Sequence, residues 1–445
     1  MASAQFRPLK GAMDCHIEIF MGGRWVTAAV FEPKSGALDL GIGGGGWLQY
    51  DIDYAAAYLG ERAAELVPGL TVGFELFPYE QWPPVLVDLL PGGAGRRAWL
   101  RRMQIERDGP QMDWHLLLRG AGSPPGNLRI AEAVPSPPSG HFRFGFHRRT
   151  IIKQGERFLD YAEERGAYVA GASSVQGEAP KYLLVEDHDG RFHAEGAIPD
   201  ERARKFWLVK FPRGRRTDER NQQVLRNEAA YLEVARDFGI RTGEPLIYEE
   251  GVLFVPRFDR KVSDGRVERL GLNSLYAVAD IPGFGAVVHH DVYCRALARV
   301  ASDPARELRE YMLRDILNLA LRNTDNHGRN GAVLKTGAQV GLSPLFDFAP
   351  MFLDPEGIGR VSRWDDERPG SQPEWGIICE KFEHLMPPGE TRHWLTDLSK
   401  EVLRLPDVMY SRHVDDDIIQ RLAGWIDEVA AGLAEARPRT WRRIP

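Results

Sequence analysis

Cysteine is scarce. The 445 residues hold only Cys15, Cys294 and Cys379, far apart and in no CxxC or Cys/His spacing. That excludes a disulfide framework and a structural zinc site. Charge of one sign is not in excess either: 57 Lys and Arg stand against 63 Asp and Glu, a net of −6. Nothing global therefore attracts nucleic acid or acidic lipid, and Arg213-Gly214-Arg215-Arg216 is the one local basic run to note. No apolar run reaches the roughly 18 to 20 residues that span a bilayer. The opening residues lack the cationic, apolar, small-residue order of a secretory leader. Internal repeats and low-complexity tails are missing too. A cytoplasmic, reducing setting without membrane contact is the expectation.

What is present is an ordinary globular composition, 43% hydrophobic and 27% charged. The length favours two or more lobes. His16 to Phe20 and Trp25 to Phe31 bracket Gly22-Gly23 and predict a hairpin. Gly41 to Gly46 reads as a connector, because no Lys-Ser/Thr pair follows to make it a phosphate cradle. Helical patterning covers Tyr54 to Leu66 and Pro84 to Leu90. Pro, Gly and Ser crowd residues 121 to 140, which places a subdomain boundary there.

Lys181 to Glu186, Phe206 to Phe211 and Val252 to Phe258 predict strands. Asn221 to Phe238 predicts a helix closed by Gly239. Beyond residue 290 the pattern turns helical, over Asp291 to Ala301, Ala305 to Arg322, Glu390 to Leu403 and Asp415 to Ala436. Trp394, Leu395 and Leu398 share one face of the third of these and read as core. Arg437 to Arg443 reads as a solvated tail. The expected class is α+β, a strand-rich part followed by a helix-rich part with a cleft between them. The division is an N-terminal subdomain over 1–130, a second unit over 131–260 and a helical lobe over 261–445.

One segment stands out chemically. The apolar helix end Ile316 to Leu321 is followed by the polar loop Asn323-Thr324-Asp325-Asn326-His327-Gly328-Arg329-Asn330, and Gly331 to Leu334 resumes as a strand. Such a loop between two buried elements suits phosphoryl transfer. An Asp accepts the proton of an incoming hydroxyl, and an Asn five residues later offers an amide oxygen to Mg²⁺. Asp347, in Leu345-Phe346-Asp347-Phe348, lies seventeen residues beyond Asn330 and leaves room for a hairpin that brings a second carboxylate onto the metal. Asp and Asn also cap turns, so Asp325 and Asn330 alone divide evenly between the two readings, and Asp347 tips the balance. His327 reads as a hydrogen-bonding residue of the loop rather than a metal ligand, since it stands without other imidazoles.

Lys210 interrupts the apolar run Phe206 to Pro212. It either snorkels from an edge or points into a cleft toward phosphates. Glu228 on the following helix is its expected ion-pair partner. Upstream, Gly171 to Lys181 is a small-residue loop whose N–H groups suit phosphate, although it has neither GxGxxG nor GxxxxGK[ST] spacing.

In that order the motifs resemble the HipA-like serine/threonine kinases of bacterial toxin–antitoxin modules. The likeness rests on the loop with Gln176 and Lys181, Trp207 to Pro212, Asn227-Glu228-Ala229, Val255 to Arg260, Asn323 to Asn330, and Leu342 to Asp347, and covers residues 165 to 350 well. It implies a two-lobed kinase-like fold with ATP in the cleft. Asp325 would be the catalytic aspartate, and Asn330 with Asp347 would hold Mg²⁺. Lys210, Lys181, Gln176, Ser174, Glu228 and His327 would line the ATP site, with Arg257 and Phe258 meeting adenine mainly through backbone. Ser173 or Ser174 would be the autophosphorylated serine. A protein substrate such as an aminoacyl-tRNA synthetase and a cognate antitoxin are the implied partners. The loop is longer and richer in serine than the family's short form, and Pro256 stands where the family often carries an acid. Two alternatives remain. One is a small-molecule phosphotransferase of the aminoglycoside kinase type, against which Asn323-Thr324 replaces the usual His-Gly. The other is a catalytically silent partner-binding module. No helix-turn-helix signature supports direct reading of DNA sequence by this chain.

Overall fold

The computed structural model describes residues 14–134, 145–153, 158, 161–162, 180–212, 219–283, 285–368 and 370–436. Ser173, Ser174, Gln176, the basic run 213–216 and the terminal arginines lie outside the described residues.

Gly22 and Gly23 both take positive φ, 57° and 81°. This is the backbone a two-residue hairpin needs to match strand twist. They join β1 (Cys15–Met21) to β2 (Arg24–Pro33) as the glycine pair predicts. With β3 (Gly46–Tyr50), β4 (Leu76–Tyr79) and β5 (Leu128–Ile130) these strands form an antiparallel sheet in the order β4-β3-β2-β1-β5. The helix expected from Tyr54 to Leu66 is only Ile52–Tyr58, started by the Asp51 carboxylate accepting from Tyr54 N at 3.0 Å. Gly60 then takes φ 70° and the chain turns. Helix Pro84–Leu89 matches its pattern. Gly93–Arg102 and Asp113–Gly120 are further helices, the first masked in the sequence by Gly93 and Gly95.

A second antiparallel sheet follows in the order β7-β6-β8-β10-β9. It is built from β6 (Lys181–Asp187), β7 (Phe192–Ala194), β8 (Ala203–Lys210), β9 (Ile247–Glu249) and β10 (Val252–Pro256). The helix Glu219–Asp237 is inserted after β8, and Gly239 takes φ 83° just past its end. A hairpin, β11 (Arg260–Ser263) and β12 (Arg266–Arg269), leads to β13 (Gly271–Ser274). β13 pairs with β14 (Ala332–Thr336), and β14 with β15 (Gln339–Leu342). The last two are the hairpin expected between Asn330 and Asp347. Helices His290–Val300, Pro304–Ala320, Pro388–Val402 and Asp416–Ala434 agree with the periodicity to within a few residues.

Burial groups these elements unexpectedly. One continuous apolar core runs from the first sheet, through Leu48, Trp82 and Leu117, into the helical lobe at Leu297, Ile316 and Leu422. The second sheet has its own core around Tyr182, Trp207 and Phe254. Polar contacts reinforce the joint between the first sheet and the helical lobe. Asn273 Nδ2 donates to Leu66 O at 3.2 Å, Arg62 Nη2 to Val300 O at 2.5 Å, and the Lys335 ammonium to Glu65 O.

Lys335 on β14 is 3% exposed. Burial, only partly offset by Glu65, pushes its pKa down to about 8. Unfolded, it titrates near about 10.4, so between these values the unfolded chain holds more protons and stability rises with pH. Replacing Lys335→Met should therefore flatten the rise in urea midpoint between about pH 8 and about pH 10.4, measured against the wild type.

Candidate active site

β6 and β8 are hydrogen-bonded neighbours in which Lys181 sits opposite Lys210. Two facing lysines repel unless counter-charge lies between them. Asp347 supplies it. Its Oδ1 takes the Lys210 ammonium, and its Oδ2 lies 3.7 Å from Lys181 Nζ. Lys210 also donates to Glu228 Oε1 at 2.6 Å, from the buried face of helix Glu219–Asp237. The lysine is thus aimed into the interior, not snorkelling, and Glu228 is its partner as expected.

These charges tune one another. Burial disfavours the Lys210 ammonium, but Asp347 and Glu228 outweigh it and hold the lysine charged above its ordinary range. Burial likewise opposes Asp347 ionisation, and Lys181 and Lys210 overcome it, so its carboxyl sits below the usual carboxylate range. Enclosure dominates at Glu228 and pushes its carboxyl up, despite Lys210. Asp347 holds φ at 50°, a left-handed conformation that Asp tolerates better than most residues. Behind it Phe348 is fully buried, Leu345 N–H donates to Arg241 O at 2.7 Å, and Arg314 Nη2 donates to Ser343 O at 2.6 Å.

The polar loop lies next to this cluster and keeps its shape through internal bonds. Asn330 Nδ2 donates to Asp325 O at 2.7 Å, which ties together the two residues expected to act as one unit. Arg329 N–H donates to His327 Nδ1 at 3.2 Å, leaving the proton of a neutral ring on Nε2. That nitrogen lies 3.3 Å from Asp325 Oδ1 without hydrogen-bond geometry. Burial lowers the His327 pKa, which keeps the ring neutral near pH 7. Gly328 admits no side chain, since a Cβ there would stand 2.6 Å from Tyr293 Oη and 2.7 Å from the Tyr276 ring. Sequence reasoning did not single out Asn326. Its Oδ1 accepts from Val361 N and Ser362 N at 2.9 and 3.1 Å, and its Nδ2 donates to Ser362 O at 2.8 Å.

Between the lobes lies an open cleft lined by Lys181, Lys210, Glu228, Asp347 and the apolar Leu183, Leu208, Leu246, Val255 and Leu345. Phe258 and Phe346 face each other at 6.0 Å between ring centroids. Asp325, His327 and Asn330 line an adjoining pocket that shares Leu345 and Phe346 with the cleft. Arg257 borders the cleft, but its N–H is committed to Phe206 O at 3.0 Å and its guanidinium to Glu195 and Asp259. Since Pro256 has no N–H, Phe258 is the remaining backbone donor of the expected adenine edge.

A hard cation fits these residues. The Asp347 carboxylate stays ionised and the Asn330 amide offers a neutral oxygen, and Mg²⁺ takes one or two such oxygens alongside phosphate and water. Among the described residues no group of three or more His, Cys, Asp or Glu could hold a metal ion.

A strand lysine held by a helix glutamate and by an aspartate of the following lobe, at the wall of an interlobe cleft, belongs to a two-lobed kinase-like fold. The fold is shared by HipA of Shewanella oneidensis MR-1, solved with HipB and operator DNA. That chain is 16% identical, with a TM-score of 0.62 over 94% of this chain and 96% of that one. A kinase from Helicobacter pylori, the proinflammatory CtkA, aligns over 52% of this chain and 88% of its own at 13% identity and a TM-score of 0.32. No curated protein matches the sequence. The family model for the HipA-like C-terminal domain matches residues 173–403, and the chain belongs to that family.

Removing Lys210 tests the charge cluster. Lys210→Met leaves the buried Glu228 carboxylate unpaired and Asp347 with Lys181 alone, at 3.7 Å, and should cost about 3 kcal/mol at neutral pH. The depressed Asp347 pKa contributes stability above its unfolded value of about 3.9 that is lost as pH falls. The gap between wild type and variant in urea unfolding should accordingly narrow below about pH 4.

Proposed function

We propose that this protein is an ATP-dependent serine/threonine protein kinase of the HipA type, using Mg²⁺. The observation that carries the reading is the convergence of Lys210, Glu228 and Asp347 beside the Asp325–Asn330 loop. In this reading ATP occupies the interlobe cleft, with the base among Leu183, Leu208 and Val255 near the Phe258 backbone. Lys210 and Lys181 meet the phosphates, and Glu228 holds Lys210 in place. Asn330 and Asp347 would hold Mg²⁺, which neutralises charge on the transferring phosphoryl group. Asp325 accepts the proton of the attacking hydroxyl, and the neutral His327 ring packed 3.3 Å away limits the directions its carboxylate can take. A nucleotide arriving at Asp347 must displace the Lys210 contact, so Lys210 moves from carboxylate to phosphate.

The acceptor is read as a protein. Asn323-Thr324 stands where aminoglycoside kinases usually carry His-Gly before the aspartate, which favours a protein over a small polycationic antibiotic. A translation component such as an aminoacyl-tRNA synthetase is the proposed substrate, and a cognate antitoxin the proposed partner, in the cytoplasm. The complex of the Shewanella protein with HipB and operator DNA supports an antitoxin. Ser173 and Ser174 are the proposed self-modification sites.

Incubation with labelled ATP and Mg²⁺ tests this directly. Asp325→Asn and Asp347→Asn should each lower incorporation by roughly 10²- to 10⁴-fold, and equal labelling of all three proteins would sink the assignment. Mass spectrometry of the purified protein should find phosphate on Ser173 or Ser174 in the wild type and not in Asp325→Asn.

A further inference from the structure

Arg329 lies inside the polar loop, two residues from His327, yet its side chain leaves the site. It is 6% exposed and runs into the N-terminal subdomain, where Nη2 donates to Val87 O at 2.8 Å. Val87 belongs to the last turn of helix Pro84–Leu89. A carbonyl there would ordinarily find the N–H four residues on, but that residue is Pro91, which has none. The arginine therefore satisfies an acceptor that the helix cannot, and a cation at a helix C-terminus is favoured by the helix dipole. The next residue, Asp88, strengthens the joint. Its Oδ1 lies 3.9 Å from Arg329 Nε, and its Oδ2 accepts from Ser274 N, at the end of the strand paired with β14.

The other end of Arg329 reaches the chemistry. Its N–H donates to His327 Nδ1 at 3.2 Å, and the far nitrogen of that ring stands 3.3 Å from Asp325 Oδ1. Hydrogen bonds thus run from the Val87 carbonyl through the arginine side chain and backbone to the imidazole, whose far edge packs 3.3 Å from the Asp325 carboxylate without bonding to it. The packing leaves this path little slack, because Gly328 is pressed against Tyr276 and Tyr293.

We propose that Arg329 is a positioning residue through which the N-terminal subdomain sets the orientation of His327 and Asp325. The subdomain is then part of the phosphoryl-transfer apparatus and not an appended module, a statement that rests on the function proposed above. Arg329 itself touches no reactant. Its loss should misalign Asp325 while leaving the nucleotide contacts of Lys210 and Asp347 in place.

The test uses the full chain and two readouts. In hydrogen-exchange mass spectrometry, Arg329→Ala should speed exchange in residues 84–90 and in residues 325–331 together. In kinetics it should lower kcat on the order of 10²-fold while the KM for ATP stays near the wild-type value. Arg412→Ala, which breaks an exposed pair with Asp237, should change neither. If Arg329→Ala does not fold, Arg329→Lys gives the same reading at smaller amplitude, since it keeps one donor but loses the planar fork. Exchange that rises in only one of the two segments, or a KM that rises with kcat unchanged, overturns the proposal. Coupled exchange in a wild type that transfers no phosphate would instead overturn the kinase reading and leave the coupling standing.

Discussion

A lysine taken out of water needs counter-charge, and the way Lys210 obtains it decides where three parts of this chain meet. Its strand, the helix carrying Glu228 and the bend carrying Asp347 come from separate stretches of sequence. They converge because one buried ammonium is shared by the buried Glu228 and the half-buried Asp347 carboxylates. Neither carboxylate alone would leave the cluster neutral, since Lys181 faces Lys210 across the same sheet. Two cations and two anions make a balanced set, which is how four ionisable groups, two of them buried, stand together at the cleft wall.

Much of this was legible in the sequence, for identifiable reasons. Lys210 announced itself as a polar interruption of a strand, and the Asp325 loop as a dense polar run between apolar elements. Gly22-Gly23 and Gly239 marked their turns because only their backbone freedom fits there. The helix Gly93–Arg102 was hidden because glycine weakens the pattern that reveals a helix. The hairpin Arg260–Arg269 was also missed, its strands being four residues each and largely charged. The roles of Asn326 and Arg329 were illegible for a different reason. Their partners, Ser362 and Val87, are 36 and 242 positions away, and no local pattern carries that information.

Arg257 shows how one motif carries two tasks. As part of Val255 to Arg260 it was expected to border the nucleotide through its backbone, and it does line the cleft. Its side chain belongs to a buried network with Glu195, Asp259 and Arg260. Asp259 Oδ2 accepts from Gly126 N at 2.7 Å, and Arg260 Nη1 donates to Gly126 O at 2.7 Å. Two arginines and two acids thus fasten an N-terminal loop to the chain that leaves β10 toward the helical lobe. The same short segment edges the cleft and braces it, and residue type alone does not separate the two tasks.

The core shared by the first sheet and the helical lobe also bears on how the chain is made. Synthesis proceeds from the N-terminus, so β1 to β5 emerge before the helices that complete their packing. Leu297 and Ile316 follow Trp82 by more than two hundred residues, and Leu422 comes later still. Until they appear, the first sheet has only its own subdomain to cover it, through Trp82, Trp114 and Leu117, and the side of that core that meets the helical lobe stays open. The early part of the polypeptide must wait, half-covered, for its own far end, and that interval is where a chaperone or a premature contact with another chain would act.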